Sequence, residues 1–174
     1  MNEFLEILKY ILPSTIFLVA TYLILKSFLE SEQKKKQIDI RVSVSKLVTP
    51  LRIQAYERLI LLLERIAPSS LIMRISPSSE MSLRNYQSIL TQAIRDEYEH
   101  NLSQQLYVSE NLWHLTLSAK EEIVKIINVA ASSLNENSSS LDLATKIIEM
   151  SIGKEFTQLD KAISAIRDEF SRKY

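Results

Sequence analysis

The sequence of 174 residues contains no cysteine and only one glycine. Without cysteine the chain forms no disulfide and offers no thiolate for catalysis, which agrees with a reducing compartment. Phosphate-binding loops, dinucleotide-binding turns and serine nucleophile elbows need several glycines, because the backbone must approach the ligand closely or turn sharply. With only two histidines, a three-histidine zinc site is excluded as well. The composition identifies no reaction and no cofactor.

Charge is also missing from one long stretch, because the sixteen residues from Tyr10 to Leu25 include no charged side chain. A helix needs roughly 20 apolar residues to cross a bilayer core about 30 Å thick. The neighbouring residues extend the run at both ends, since Lys26 can carry its ammonium to the membrane interface. The sequence therefore predicts a transmembrane anchor, residues 1–30, of which residues 7–29 lie in the bilayer.

Two alternatives to an uncleaved anchor are a cleaved signal peptide and a buried helix of a soluble protein. A signal peptide needs a basic first segment and a small-residue cleavage site, and neither is present. One lysine precedes the span, whereas six basic residues follow it within about 20 positions, which by the positive-inside rule places the N-terminus outside. We expect a single-pass protein of the cell inner membrane with a cytoplasmic C-terminal domain.

The whole chain balances 21 basic against 21 acidic residues, but the two kinds are unevenly distributed. Residues 31–74 carry nine basic and four acidic side chains, and residues 75–174 carry ten and fourteen. Lys34, Lys35 and Lys36 lie directly behind the predicted anchor, where anionic lipid headgroups attract basic residues. Nucleic acid is a poor alternative partner, because the basic residues are not interleaved with aromatics and the distal part is acidic.

The scarcity of glycine and the abundance of Leu, Ile, Glu, Lys and Ser favour an all-α fold. We expect a basic juxtamembrane stalk at residues 31–49 and one helical bundle of about five helices at residues 50–174. Residues 38–48 alternate in polarity as a strand does, yet they also fit a helical stripe, and with no partner strand we predict a helix.

Local signals give the expected helix boundaries. Thr49-Pro50 is a typical helix start, and Pro68 a stop after residue 67. The next stretch, residues 68–79, is predicted as a connector with at most one short turn. Further helices are expected at residues 82–105, at 110–134 behind the capping Ser109, at 141–152 and at 155–172, with a loop at 135–140 and Gly153 between the last two.

Two groups of motifs resemble a known family. The first is Gln54-Ala55-Tyr56-Glu57-Arg58-Leu59 followed by Leu63-Glu64-Arg65-Ile66, Pro68 and Arg74; the second is Glu97-Tyr98-Glu99-His100-Asn101 followed by Ser103-Gln104-Gln105 and Tyr107-Val108-Ser109. Over about residues 50–130 the chain resembles an uncharacterised family of single-pass, membrane-anchored helical proteins from Gram-negative bacteria. The resemblance implies the architecture and supplies no catalytic residue.

One pattern suggests metal chemistry, because Glu97 and His100 share a helical face as ligands do in di-iron carboxylate bundles. Those sites require a second such pair, which is absent, since Glu110 and His114 are four residues apart. Glu97 and His100 are therefore weak metal candidates. The alternative is structural, in which His100 and Asn101 hydrogen-bond a neighbouring helix and Glu97 pairs with an arginine.

Polar residues on the most apolar helix form the other candidate set, and any buried charge among them must be paired. We expect ion pairs with residues 95–99, or else a ridge that binds a partner. Trp113 is expected in the core or as an interface anchor. The full predicted set is Gln54, Tyr56, Glu57, Arg58, Glu64, Arg65, Glu97, Glu99, His100, Asn101 and Trp113.

Two function classes remain open at this point. The favoured hypothesis is a non-enzymatic scaffold that is anchored in the membrane and positions a protein partner, or another copy of itself, at the inner membrane face. The alternative is a metal-binding bundle or an enzyme that uses Glu97, Glu99 and His100.

Overall fold

A computed structural model describes residues 2–135, 138–152 and 157–174. These residues form six α-helices and one short 3₁₀ helix, and no β-strand occurs among them, which confirms the all-α prediction. The helices are α1 (Asn2–Ile66), α2 (Pro68–Arg74), α3 (Leu83–His100), α4 (Glu110–Ser132), α5 (Ser140–Ile152) and α6 (Thr157–Lys173), and the 3₁₀ helix is Leu102–Leu106.

Helix α1 is much longer than any segment that the sequence predicts. It continues through residues 38–48, where the predicted helix is confirmed, and through Thr49-Pro50, where the predicted helix start is wrong. An interior proline removes one N–H donor, and the long helix on both sides retains the rest of its hydrogen bonds. The helix ends at Ile66, directly before Ala67 and Pro68, as the stop signal predicts.

The chain divides into two compact units, Met1–Thr49 and Pro50–Tyr174. In the first unit Ile11 and the large apolar side chains from Ile16 to Leu29 are 47 to 75% exposed. Within Pro13–Ile66 a window of 18 residues has a mean hydropathy of 1.3 and no buried residue. Among the described residues, α1 is the one helix that is long and apolar enough to cross a membrane.

Three hydroxyl groups within this apolar stretch are satisfied by the helix itself. Ser14 and Thr15 donate to the carbonyl of Ile11 at 2.8 and 2.9 Å, and Thr21 donates to the carbonyl of Phe17 at 2.8 Å. Such bonds to the preceding turn make these three side chains compatible with a lipid environment.

The second unit has a single core to which every helix contributes. The C-terminal part of α1 supplies one face of it, although Leu51 and Leu61 of this part are exposed. Helix α4 contacts α3, α5 and α6, so it lies at the centre of the bundle. The largest fully buried side chains are Leu59, Leu62, Leu63, Ile66, Leu71, Tyr86, Leu90, Ile94, Leu112, Ile123, Ile127 and Leu143.

The cap of α4 agrees with the sequence prediction, whereas the lengths of α2 and α3 differ from it. The hydroxyl of Ser109 accepts from the N–H group of Leu112, which is the expected capping, and the hydroxyl of Ser82 accepts from the N–H group of Asn85 in the same way. Helix α2 occupies seven residues of the predicted connector because its Leu71 is buried in the core. Helix α3 ends at His100, before the predicted residue 105, and a 3₁₀ turn follows it.

Side chains from distant helices hold the connector between α2 and α3. The Tyr86 hydroxyl donates to the carbonyl of Ile75 at 2.7 Å, and the Ser140 hydroxyl donates to the carbonyl of Ser78 at 2.7 Å. Helix α5 begins with a reciprocal cap, in which Asp142 accepts from Ser139. Gly153 and the centre of the predicted 135–140 loop lie outside the described residues.

Candidate interaction site

The polar side chains predicted to act together are distributed over the second unit and are not gathered into one buried network. Tyr56 and Asn101 are buried. Arg58, Glu97 and Trp113 are half-buried. The exposed members are Gln54, Glu57, Glu64, Arg65, Glu99 and His100.

One predicted ion pair is present between α1 and α3. The Arg65 Nε atom lies 2.8 Å from Oε2 of Glu97, and the two side chains are 52% and 13% exposed. Arg74 donates to the backbone carbonyl of Arg65 at 3.3 Å, so α2 also contributes to this contact. The expected arginine partner of Glu97 is thus confirmed, and it occupies the carboxylate that a metal would require.

His100, the second residue of the metal candidate, is not placed to complete a binding site. His100 is exposed at the C-terminal end of α3. Asn101, expected to bond a neighbouring helix, donates to the carbonyl of Glu97 in its own helix at 2.8 Å. Over residues 2–135, 138–152 and 157–174, no group of three or more His, Cys, Asp or Glu side chains is placed to hold a metal ion.

Trp113 lies partly buried against the core, and its ring packs on Tyr98 of α3. The ring centroids are 5.4 Å apart with an interplanar angle of 32°. The Lys120 ammonium lies 4.7 Å from the centroid of the Tyr98 ring, at a distance typical of a cation–π contact. The aromatic pair therefore joins α3 to α4.

The most heavily bonded side chain of the bundle is Glu169 on α6, which sequence reasoning missed. Its carboxylate accepts from the Tyr56 hydroxyl at 2.8 Å, from the Ser109 N–H at 3.2 Å and from the Lys173 ammonium at 2.7 Å. The Ser109 hydroxyl donates to it as well. This Glu169 cluster, formed by Tyr56, Ser109, Glu169 and Lys173, links α1, the start of α4 and α6.

The cluster favours the ionised form of its carboxyl group. Burial alone would raise the pKa of Glu169, but hydrogen bonds from Lys173, Ser109 and Tyr56 together with the Lys173 charge lower the pKa to about 2. The hydrogen bond to Glu169 raises the pKa of Lys173 in return. Burial raises the pKa of Tyr56, so its hydroxyl stays protonated and donates. At neutral pH the nearly buried Glu169 carboxylate is therefore ionised and paired with the Lys173 ammonium, whose side chain is 37% exposed.

An apolar cleft opens directly beside this cluster, between α1 and α6. Its volume is about 560 Å³. The Tyr56 and Phe170 rings meet edge to face in its wall, with centroids 5.8 Å apart and planes at 83°. The apolar side chains that line the cleft are Ile53, Tyr56, Ile60, Leu61, Ile166 and Phe170.

Two charged residues complete the lining, with Glu57 on the α1 side and Arg167 on the α6 side. Both are exposed. Because Tyr56 bonds Glu169, the cluster fixes the spacing of the two helices that form the cleft. The arrangement can bury apolar side chains of a ligand and orient it by charge, as binding grooves for helices do.

The comparisons with known proteins identify a family and give no activity. No curated protein and no solved structure matches the chain. The model of one family, described as a family of unknown function, matches residues 2–173, which extends well beyond the motifs at residues 50–130. The chain therefore belongs to the family of unknown function DUF7935.

Proposed function

We propose that the protein is a membrane-anchored interaction protein. In this proposal the N-terminal part of α1 lies in the bilayer, and the helical bundle binds a protein partner at the inner face of the membrane. The observation that carries this proposal is the exposure of the apolar side chains between Ile11 and Leu29. So large an apolar surface is costly in water, and lipid would cover it.

The basic residues after the apolar stretch support a location of the bundle on the cytoplasmic side of the membrane. Lys34, Lys35 and Lys36 are all exposed on α1, where they can reach anionic headgroups. The apolar cleft supports a binding function rather than a catalytic one. No observation favours the metal-binding or enzymatic alternative, since Glu97 is already paired with Arg65.

The anchor is tested by extracting membranes from cells that express the full chain with alkaline carbonate. We expect the wild-type protein to stay in the pellet and a fragment of residues 31–174 to be released. Two matched variants sharpen the test, because Leu18 and Leu47 are both exposed, at 67% and 73%. Leu18→Arg places a charge in the span, at a cost of about 2.5 to 3.5 kcal/mol, whereas Leu47→Arg lies outside it.

Leu18→Arg should therefore weaken membrane retention, and Leu47→Arg should leave it unchanged. Equal retention of both variants, or release of the wild-type protein, would contradict the anchor.

The orientation is tested separately with reporters fused after Tyr174. We expect activity from a reporter that works only in the cytoplasm, and activity of an alkaline phosphatase fusion would reverse the proposed topology.

A further inference from the structure

We propose that the cleft is the interface between two copies of this chain. The two bundles associate face to face through their clefts. This inference rests on the proposed function and specifies its partner. The cleft contains two large apolar side chains that α1 and α6 leave uncovered, since Leu61 is 59% and Phe170 is 38% exposed. Pairing two clefts would remove both from water.

The charges at the cleft distinguish a second copy from an arbitrary apolar partner. Glu57 and Arg167 lie on opposite walls, and neither makes an ion pair or hydrogen bond with any residue in the described part of the chain. A surface that carries one free charge of each sign on its two sides is complementary to itself. Such self-complementarity is the requirement of a two-fold dimer, in which residue i meets residue j and j meets i.

The position of these charges also selects the direction of the pairing. When the two-fold axis runs along the cleft, the α1 wall of one copy faces the α6 wall of the other, and Glu57 meets the partner's Arg167. When the axis runs across the cleft, Glu57 faces Glu57 and Arg167 faces Arg167. Juxtaposed like charges cost several kcal/mol. The structure therefore assigns the parallel arrangement, with α1 of both copies running in the same direction.

Attachment to a membrane also favours association, because confinement of two copies to one bilayer raises their effective concentration without any new contact. A shallow cleft of about 560 Å³ can then be sufficient for association that would be weak between freely diffusing bundles.

The oligomeric state of the full chain in detergent micelles, measured by sedimentation equilibrium, tests the proposal. We expect a reversible dimer for the wild type. Glu57→Arg and Arg167→Glu should each raise the dissociation constant roughly tenfold or more, because each puts like charges together. The double variant exchanges the two charges and should restore dimerisation. Glu99→Arg, the same change at an exposed position on α3 outside the cleft, should leave the dimer unchanged.

A crosslinking experiment in membranes tests the direction, and the absence of cysteine makes introduced thiols unique. A Glu57→Cys chain and an Arg167→Cys chain, coexpressed with different tags, should be joined by a short bis-maleimide. Neither should crosslink efficiently to itself. Self-crosslinking of Glu57→Cys, a crosslink only to another protein, or a double variant that stays monomeric would each overturn the proposal. A wild-type monomer that remains membrane-bound would refute the dimer and leave the anchor standing, whereas release from membranes would refute the anchor.

Discussion

Replacing Glu169 with glutamine should destabilise the bundle, because glutamine keeps the shape of the side chain and removes its charge. The carboxylate accepts hydrogen bonds from Tyr56, Ser109 and Lys173. A glutamine amide offers one oxygen in place of two, and its NH₂ group would point at groups that are themselves donors. The variant therefore leaves at least one buried donor without an acceptor.

The size of the effect follows from the titration of the carboxyl group. Its pKa is about 2 in the folded chain, against an ordinary value of 4.5. One pKa unit corresponds to about 1.4 kcal/mol, so ionised Glu169 contributes on the order of 3 kcal/mol at neutral pH. Because the folded-state pKa is depressed, this stabilisation is present above pH 4.5 and is lost as the pH falls from 4.5 towards 2.

Urea unfolding of the full chain in a non-ionic detergent, followed by fluorescence, measures this contribution. Trp113 is the only tryptophan and lies in the bundle, so its signal reports on that unit. We expect Glu169→Gln to lower the free energy of unfolding by about 2 to 3 kcal/mol at pH 7. The difference from wild type should shrink steadily between pH 4.5 and pH 2.

The neighbouring Asp168 provides a control on the same helix, because its side chain is exposed. Asp168→Asn makes the same change in charge and should change the free energy of unfolding by less than about 0.5 kcal/mol. A Glu169→Gln difference that stays constant from pH 7 to pH 2.5 would show that the charge is not responsible. The reasoning about the cluster would then be wrong.

Three further changes test other contacts by the same urea titration. Tyr56→Phe removes the hydroxyl that bonds Glu169 and should cost about 1.5 to 3 kcal/mol, and no cost would show that this bond contributes nothing. Ile123→Ala opens a cavity in the centre of α4 and should cost about 2 to 5 kcal/mol; a smaller loss would place Ile123 outside the core. Arg65→Ala should cost less than about 1 kcal/mol, because Arg65 is half exposed, and a larger loss would mean that its pair with Glu97 is effectively buried.

Local sequence predicts those parts of the fold that local chemistry determines. The cap at Ser109 and the stop before Pro68 depend on residues within one turn, and the structure has both. Pro50 shows the limit of such rules, because proline is favoured in the first turn of a helix and is also tolerated inside a long one. Which case applies depends on the helix that precedes it.

The candidate site could not be predicted in the same way, because its members are far apart in the sequence. A tyrosine on the buried face of α1 needs a partner for its hydroxyl, and Glu169 with Lys173 at i and i+4 suggests an ion pair. Nothing local shows that these two features meet. The sequence predicts that Glu97 pairs with an arginine, and the structure identifies that arginine as Arg65.

The hydrogen bond between Tyr56 and Glu169 also has a consequence for the order in which contacts form during folding. These residues are 113 positions apart, so their contact closes a very long loop and pays its entropy only after the intervening helices have packed. Contacts that form after the rate-limiting step govern how fast a protein unfolds. We therefore expect the Glu169 cluster to form late in folding, so that Glu169→Gln raises the unfolding rate more than it lowers the folding rate.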